Sequence, residues 1–504
     1  MDDSVHSLLP VWACLASLLA VPAIVLFRRE PVLREGATFA AGIAKLAFVL
    51  AMLPVVLSGK TVECTLVEGI GGFAAPIRFR VDALGLLFAL VASGLWIVTS
   101  LYAVGYMRGL REHSQTRFFA FFAVSLSATL GVAFAGNLLT LYLFYEMLSL
   151  ATWPLVAHHQ DKEARTGGRT YLTYLLGTSI GFALPALVFT WQKTGGHVEF
   201  DSARAILAET NLGYWPALLL LLLFVFGFSK AGLMPFHSWL PGAMVAPTPV
   251  SALLHAVAVV KVGVFCVLRV VSGVFGVEIL RAHDLGTVLG WIAAVTVLVS
   301  SLIALSQDNL KRRLAFSTIG QLAYIVLGAA LLSERALTGS ALHIAAHAAG
   351  KITLFFCAGA IMVATHKTEI SQMNGLGRRM PFTFIAFFIA SLSIIGLPPL
   401  GGAWSKWELS LGAAESGHIL LLATYMISSI LNIAYLLPVA VRGFMPARGS
   451  DAPQGWKIEE APMFCVIPLC LTAIGSVALF FLAEPLYEFV LPIAHSPESA
   501  GVVQ

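Results

Sequence analysis

Three titratable side chains recur at every fourth position of one apolar stretch: His343, His347 and Lys351. On an α-helix each lies about 40° round and about 6 Å along from the last, so the three form a ladder about 12 Å long on one face. Histidine changes charge near neutral pH, and burial destabilises the charged form of lysine, so such a row suits the handing on of protons. Metal ligation suits it poorly, because no acid or cysteine accompanies the two histidines. Lys45, Lys230, Lys261 and Lys406 lie in equally apolar surroundings, as does one acid, Glu146, within Leu-Tyr-Leu-Phe-Tyr-Glu-Met-Leu-Ser-Leu. Glu146 reads either as a titrating partner that tunes a lysine or as half of a static buried ion pair.

Lys230 stands in Phe-Gly-Phe-Ser-Lys-Ala-Gly-Leu-Met-Pro-Phe-His-Ser-Trp-Leu-Pro. Pro235 has no N–H, so the carbonyl near Ala231 loses its helical partner, and Gly227 and Gly232 loosen the same stretch. Lys406 follows Gly-Leu-Pro-Pro-Leu-Gly-Gly-Ala-Trp-Ser, a second interruption beside a lysine. A helix broken beside a buried charge exposes backbone dipoles and admits water. His255 and Lys261 follow Pro247 and Pro249 on one helix, six residues apart. They do not share a face, but they can line one cavity at two depths. His255 is also open to reading as a hydrogen-bonded core histidine. Lys45 suits snorkelling or pairing with a neighbouring subunit better than a relay. Asp82 is either a helix cap or a functional charge, and Glu408 lies too near a helix end to count as buried.

The elements that must position these groups follow from composition. The 504 residues are 58% hydrophobic and 12% charged, with mean hydropathy +0.86. Soluble chains carry about twice that charged fraction, so lipid is the solvent for much of this surface. A helical span needs about 20 mostly apolar residues. Fourteen such segments are expected, centred near residues 17, 47, 94, 126, 148, 180, 228, 259, 295, 323, 351, 396, 430 and 476. The alternating signal of a membrane β-barrel is missing.

Five of the 31 Lys and Arg fall inside these segments; with the N-terminus outside, 18 of the rest collect on one side and 8 on the other. Basic loops stay inside, so both termini are expected outside. The N-terminus, Met1-Asp2-Asp3, lacks a basic signal-peptide region, and the first apolar run reads as a retained span. The six cysteines form no CxxC pair, against an iron–sulfur, zinc or disulfide framework. The polar loops near 58–82 and 193–215 are too short for a redox domain.

Tyr145-Glu146-Met147, Ser229-Lys230-Ala231-Gly232 through Pro241, Ala246-Pro247-Thr248-Pro249-Val250-Ser251-Ala252-Leu253-Leu254-His255-Ala256, and Gly396-Leu397-Pro398-Pro399 to Ser405-Lys406 occur in that order. Over roughly residues 80–445 the chain resembles the proton-conducting antiporter-like family, which includes complex I membrane subunits, related hydrogenases and Mrp-type cation/proton antiporters. The resemblance implies an all-α polytopic membrane protein of about fourteen helices with two inverted five-helix repeats, each containing a broken helix. The divisions implied are N-terminal helices at 1–110, repeats at 115–272 and 285–442, and a C-terminal helix at 460–490. Glu146 would modulate Lys230, and protons would pass along Lys230, His255, Lys261, His343, His347, Lys351 and Lys406. Gly-Leu-Gly-Arg-Arg-Met-Pro at 375–381 and Ser-Lys-Trp at 405–407 look most like Mrp D subunits, implying a subunit of a Na+/H+ antiporter in a bacterial inner membrane, with other membrane subunits as partners. The alternative is a complex I or hydrogenase membrane subunit.

Two other classes of reading fit less well. A packing scaffold would use scattered Ser, Thr or Asn rather than lysines at broken helices. No nucleotide loop, cofactor ligand set or nucleophile–base pair with supporting context occurs, so no cofactor, no resident metal and no catalysis on a soluble substrate are expected.

Overall fold

The computed structural model describes residues 4–69, 75–210, 212–445 and 458–493, excepting the side chains of Leu254 and His255. Among the described residues, twelve helices are long and apolar enough to span a bilayer. They are α1 (Leu9–Leu26), α2 (Pro31–Leu57), α3 (Ala83–Gly109), α4 (Gln115–Ala133), α5 (Leu138–Val156) and α6 (Lys162–Lys193), then α9 (Val259–Ala282), α10 (Leu285–Ser306), α11 (Leu310–Ala330), α12 (Glu334–Thr365), α15 (Ile419–Phe444) and α16 (Met463–Phe481). Two shorter apolar helices, α7 (Tyr214–Gly227) and α13 (Pro381–Ile395), complete the expected spans. Each is one piece of an interrupted segment. After α7 come a 3-10 turn at Ser229–Ala231 and a short helix at Trp239–Gly242; after α13 comes α14 (Gly402–Glu415). α8 (Thr248–Ala256) leads into α9 across a break at Val257 and Ala258. Each expected segment centre falls on one of these helices or on such a break, and the chain is a multi-pass, all-α membrane protein.

Polar caps fix where the helices start. Asp82, Asn137, Asp161, Asn309 and Ser333 each accept a backbone N–H three residues on, opening α3, α5, α6, α11 and α12. Asp82 therefore takes the capping role, and Arg269 also pairs with it at 2.6 Å. The buried share of each helix's apolar window runs from 33% in α1, α2 and α6 to 94% in α11. α11 and α12 thus form the interior, and the N-terminal helices the rim. A feature the sequence reading did not foresee is a three-stranded sheet: β2 (Thr61–Val67) and β3 (Ile77–Val81), both in the expected polar loop, pair antiparallel, and β1 (Ser4–His6), ahead of the first span, lies parallel to β2. It docks on the end of α4, where Arg80 N donates to Phe134 O at 2.7 Å.

Two expectations about charge depth are corrected. Lys45 neither snorkels nor faces a neighbour: it is wholly buried, donates to Leu126 O at 3.0 Å and lies 5.4 Å over the Trp96 ring. Its position on α2 turns it inward between α3 and α4 rather than along the helix to an interface. Glu408 is also buried, with Arg335 3.7 Å away, because α14 packs on α12 and covers it.

Candidate proton pathway

Lys230 sits on the break itself. α7 ends at Gly227, and Gly232, at φ +70°, takes a left-handed conformation that an L side chain rarely adopts. Gly263 of α9 lets the backbones close: a Cβ there would lie 2.7 Å from Ala231 Cα. The wholly buried Lys230 ammonium donates to Tyr145 O at 2.9 Å and to Ser149 Oγ at 2.6 Å, and lies 3.0 Å from the Tyr145 ring centroid. Both acceptors belong to α5, the helix that carries Glu146. Among the described residues no ion pair within 4.0 Å joins Glu146 to Lys230, so the alternative of a static buried ion pair between these two is not what the structure shows. At an effective dielectric near 20, a charge pair 4 Å apart is worth about 4 kcal/mol, which bounds this interaction from above. The Glu146 carboxylate is half-buried, and its Oε1 has no hydrogen-bond partner among the described residues.

The interior of the molecule holds a second, longer arrangement. Lys261 of α9 is hydrogen-bonded to His347 Nδ1 of α12. The His347 and His343 rings stack at 5.8 Å, as the spacing on one helix face predicts. His343 Nδ1 meets Ser405 Oγ at 2.9 Å, its Nε2 meets Gln321 Oε1 at 3.1 Å, and its ring stacks on Tyr324 at 5.8 Å. Lys406 lies over the other part of that cluster, 4.7 Å from the Tyr324 centroid, donating to Ile395 O at 3.2 Å and Ser429 Oγ at 3.3 Å. Lys261, His347, His343 and Lys406 thus make one line through the protein interior. Lys261 and His347 are hydrogen-bonded, the two imidazoles stack, and His343 and Lys406 share the Tyr324 ring.

Lys351, the last rung of the ladder, leaves this line. Its ammonium donates to Ser317 Oγ at 2.5 Å; Tyr435 donates to the same hydroxyl at 2.9 Å and also bonds Asn432. Lys351 is therefore a branch toward α15. His255 lies on α8 just before its break, and its side chain is outside the described residues. No described hydrogen bond joins Lys230 to Lys261. Lys406 does not occupy a break as Lys230 does: it rides on α14 and reaches back to the last carbonyl of α13, beyond which Gly396 turns at φ +97°.

Sequence reasoning missed Ser317, Gln321 and Tyr324, which sit four and three residues apart on one face of α11 and supply partners to three of the relay groups. That spacing was available, but hydroxyls and amides in a span suggest packing first. It also passed over His237 in the second half of the broken α7 segment. His237 lines a cleft of about 660 Å³ with Glu163, Ser238, Asn309 and Arg312.

Buried amines and imidazoles strung through a bundle of spanning helices define a membrane protein equipped for proton transfer. Comparison with known proteins gives the family. Residues 135–432 match the model described as NADH:quinone oxidoreductase/Mrp antiporter, TM, and residues 67–119 match the one described as NADH-Ubiquinone oxidoreductase (complex I), chain 5 N-terminus. The chain is 33% identical over 505 residues to NADH-quinone oxidoreductase subunit N of Desulforudis audaxviator, covering 95% of this chain and 97% of that one. It is 31% identical to a Na(+)/H(+) antiporter subunit of Alkalihalophilus pseudofirmus over 87% of its own length, but spans only 58% of that longer protein. Its fold matches a chain of the Mrp complex of a Dietzia species with TM-score 0.83 at 20% identity, covering 97% and 96% of the two chains. A chain of an archaeal membrane-bound sulfane sulfur reductase matches with TM-score 0.82 at 22% identity, covering 97% of both. The chain belongs to the antiporter-like membrane subunit family of NADH:quinone oxidoreductases and Mrp antiporters.

Proposed function

We propose that this chain is a proton-translocating membrane subunit of an Mrp-type or complex I-type assembly, moving protons along Lys230, Lys261, His347, His343 and Lys406. The observation that carries the reading is the buried line from Lys261 to Lys406, in which amine, imidazole, imidazole and amine follow one another. These nitrogen bases and their hydroxyl partners exchange protons. His255 fills the step from Lys230 to Lys261, and Lys351 is a side store for a proton. Glu146 steadies protonated Lys230 through space. When a neighbouring subunit or ion draws that charge away, the protonated amine is destabilised and its proton moves inward. One charge crossing 100 mV is worth about 2.3 kcal/mol, below the upper bound of about 4 kcal/mol on the Glu146–Lys230 interaction.

On this reading the protein lies in a bacterial inner membrane with both termini outside, 115–272 and 285–442 are its two repeats, and other membrane subunits surround it. Two assemblies compete. Exchange of Na+ for protons within an Mrp complex is supported by the motif at 375–381, by Ser405-Lys406-Trp407 and by the likeness to the Alkalihalophilus antiporter protein. A place in the pumping arm of a redox enzyme is favoured by the end-to-end similarity to subunit N. Mass spectrometry of what co-purifies in mild detergent separates them: small hydrophobic antiporter subunits in one case, flavin or iron–sulfur subunits in the other. Proton transfer itself is tested with Lys230→Ala and Glu146→Ala in reconstituted vesicles. Both should assemble yet lose proton movement, and normal transport by either sinks the mechanism.

A further inference from the structure

The face that carries most of the loop Lys and Arg also holds a cluster outside the relay. Residues 110–114 join α3 to α4, and residues 157–161 join α5 to α6. Glu112 and His113 of the first loop meet His158 and His159 of the second. Glu112 Oε2 lies 3.9 Å from His113 Nδ1 and 4.0 Å from His158 Nε2, while its Oε1 meets His159 Nε2 at 3.2 Å. Glu112, His113 and His158 offer three ligand atoms within 4.8 Å of one another. A second observation points to a ligand there. The His158 side chain is 0% exposed, its Nε2 faces Glu112, and neither ring nitrogen has a hydrogen-bond partner among the described residues. Buried polar atoms are seldom left in that condition.

We propose that Glu112, His113 and His158 form a divalent transition-metal site, with Zn2+ the ion their chemistry suits best. Two imidazoles and one carboxylate with an open fourth position are a common zinc donor set. Tetrahedral zinc would bring the ligand atoms to about 3.4 Å apart, so the two carboxylate–imidazole pairs must close by about half an ångström, and the two imidazoles, within 4.8 Å of one another, by up to about 1.4 Å. The half-exposed His113 is free to swing that far. His159, bonded to the other carboxylate oxygen, orients Glu112 as outer partners of metal-bound carboxylates do. Burial holds the His158 imidazole in its neutral, ligating form, down to about 4. Two cations oppose the ion: Arg117, which donates to His158 O at 2.7 Å, and Lys311, whose charge reaches Glu112. Bound metal would clamp the α3–α4 loop to the end of α5, twelve residues and about 18 Å along the chain from Glu146. The site is independent of the proton-transfer reading.

The test uses the chain purified with its native subunits, stripped with a chelator and titrated with Zn2+ by calorimetry. The Co2+-loaded sample is then examined for the visible bands of a tetrahedral site. Wild type should take up roughly one zinc per chain that survives desalting. His113→Ala and His158→Gln should weaken it at least ~10–100-fold and abolish the cobalt bands. His113 is at the surface, so its variant should elute as the intact assembly even if the His158 variant does not. Equal zinc binding by wild type and His113→Ala, or no zinc retained by wild type, would overturn the proposal in favour of a metal-free Glu–His hydrogen-bond cluster.

Discussion

His347 is hydrogen-bonded to Lys261 and stacked on His343, so its replacement is the sharpest test of the interior line. Gln is close in reach to His, and its amide oxygen can still accept the bond that Lys261 gives to Nδ1. It does not titrate, so it preserves structure while removing a proton carrier. With His347 gone, no described hydrogen bond or ring contact joins Lys261 to His343, whereas a transfer step spans one hydrogen bond or one bridging water. Loss of a positioned acid–base group of this kind costs about 10²–10⁴ in rate. His347→Gln should therefore assemble normally yet slow proton flux by about that factor, read as dye quenching in proteoliposomes under an imposed potential. His347→Leu removes the acceptor as well, and should lose a further ~1.5–3 kcal/mol of stability, the worth of a hydrogen bond to a charged group. Wild-type flux from an assembled His347→Gln protein would refute the reasoning, because protons would then be passing by a route that does not use the ladder.

Other outcomes follow from groups around this line. Lys45→Met should leave proton flux unchanged and raise stability by ~1–4 kcal/mol, since apolar side chains often outdo buried charges; a flux loss in the intact assembly would place Lys45 in the pathway. Asp82, at the mouth of α3, feels burial, which raises its pKa, but the Arg269 charge and hydrogen bonds with the Gly85 N–H outweigh it, and the folded value is lowered. That contribution is fully present above the unfolded value near 3.9 and is lost as pH falls through the depressed folded value. Asp82→Asn should melt below wild type at pH 7, by about 1–3 kcal/mol, and the gap should close below about pH 4; a gap independent of pH would contradict the ion pair.

Some of this architecture follows from local rules alone. Fourteen apolar segments, each long enough to cross the bilayer, are legible because lipid admits almost only helices, and the loops that end them carry the charge. The His343–His347 stack is equally local: a helix returns to the same face every fourth residue whatever surrounds it. Glycine and proline near 227–235 and 396–402 announced the interruptions, because neither supports a continuous helix.

What each ammonium touches was not local. Glu146 and Lys230 looked like natural partners, but the lysine arrives beside Tyr145 and Ser149, one residue before and three after the acid on α5. Which of those faces the broken segment meets depends on how α5, α9 and the break pack, and Gly263 lets that approach close. Lys351 continues the histidine ladder in sequence, yet α11 offers it Ser317 and turns it toward Tyr435. Lys45 is buried because α3 and α4 fold over it. Glu112 and His158 lie 46 residues apart, and two loops with no periodic signal bring them together. The sequence by itself determined the spans, their breaks and the spacing along each helix, since these follow from backbone geometry and the cost of charge in lipid. The tertiary structure alone decided which groups meet, because partners across helices depend on packing and crossing that no single segment encodes.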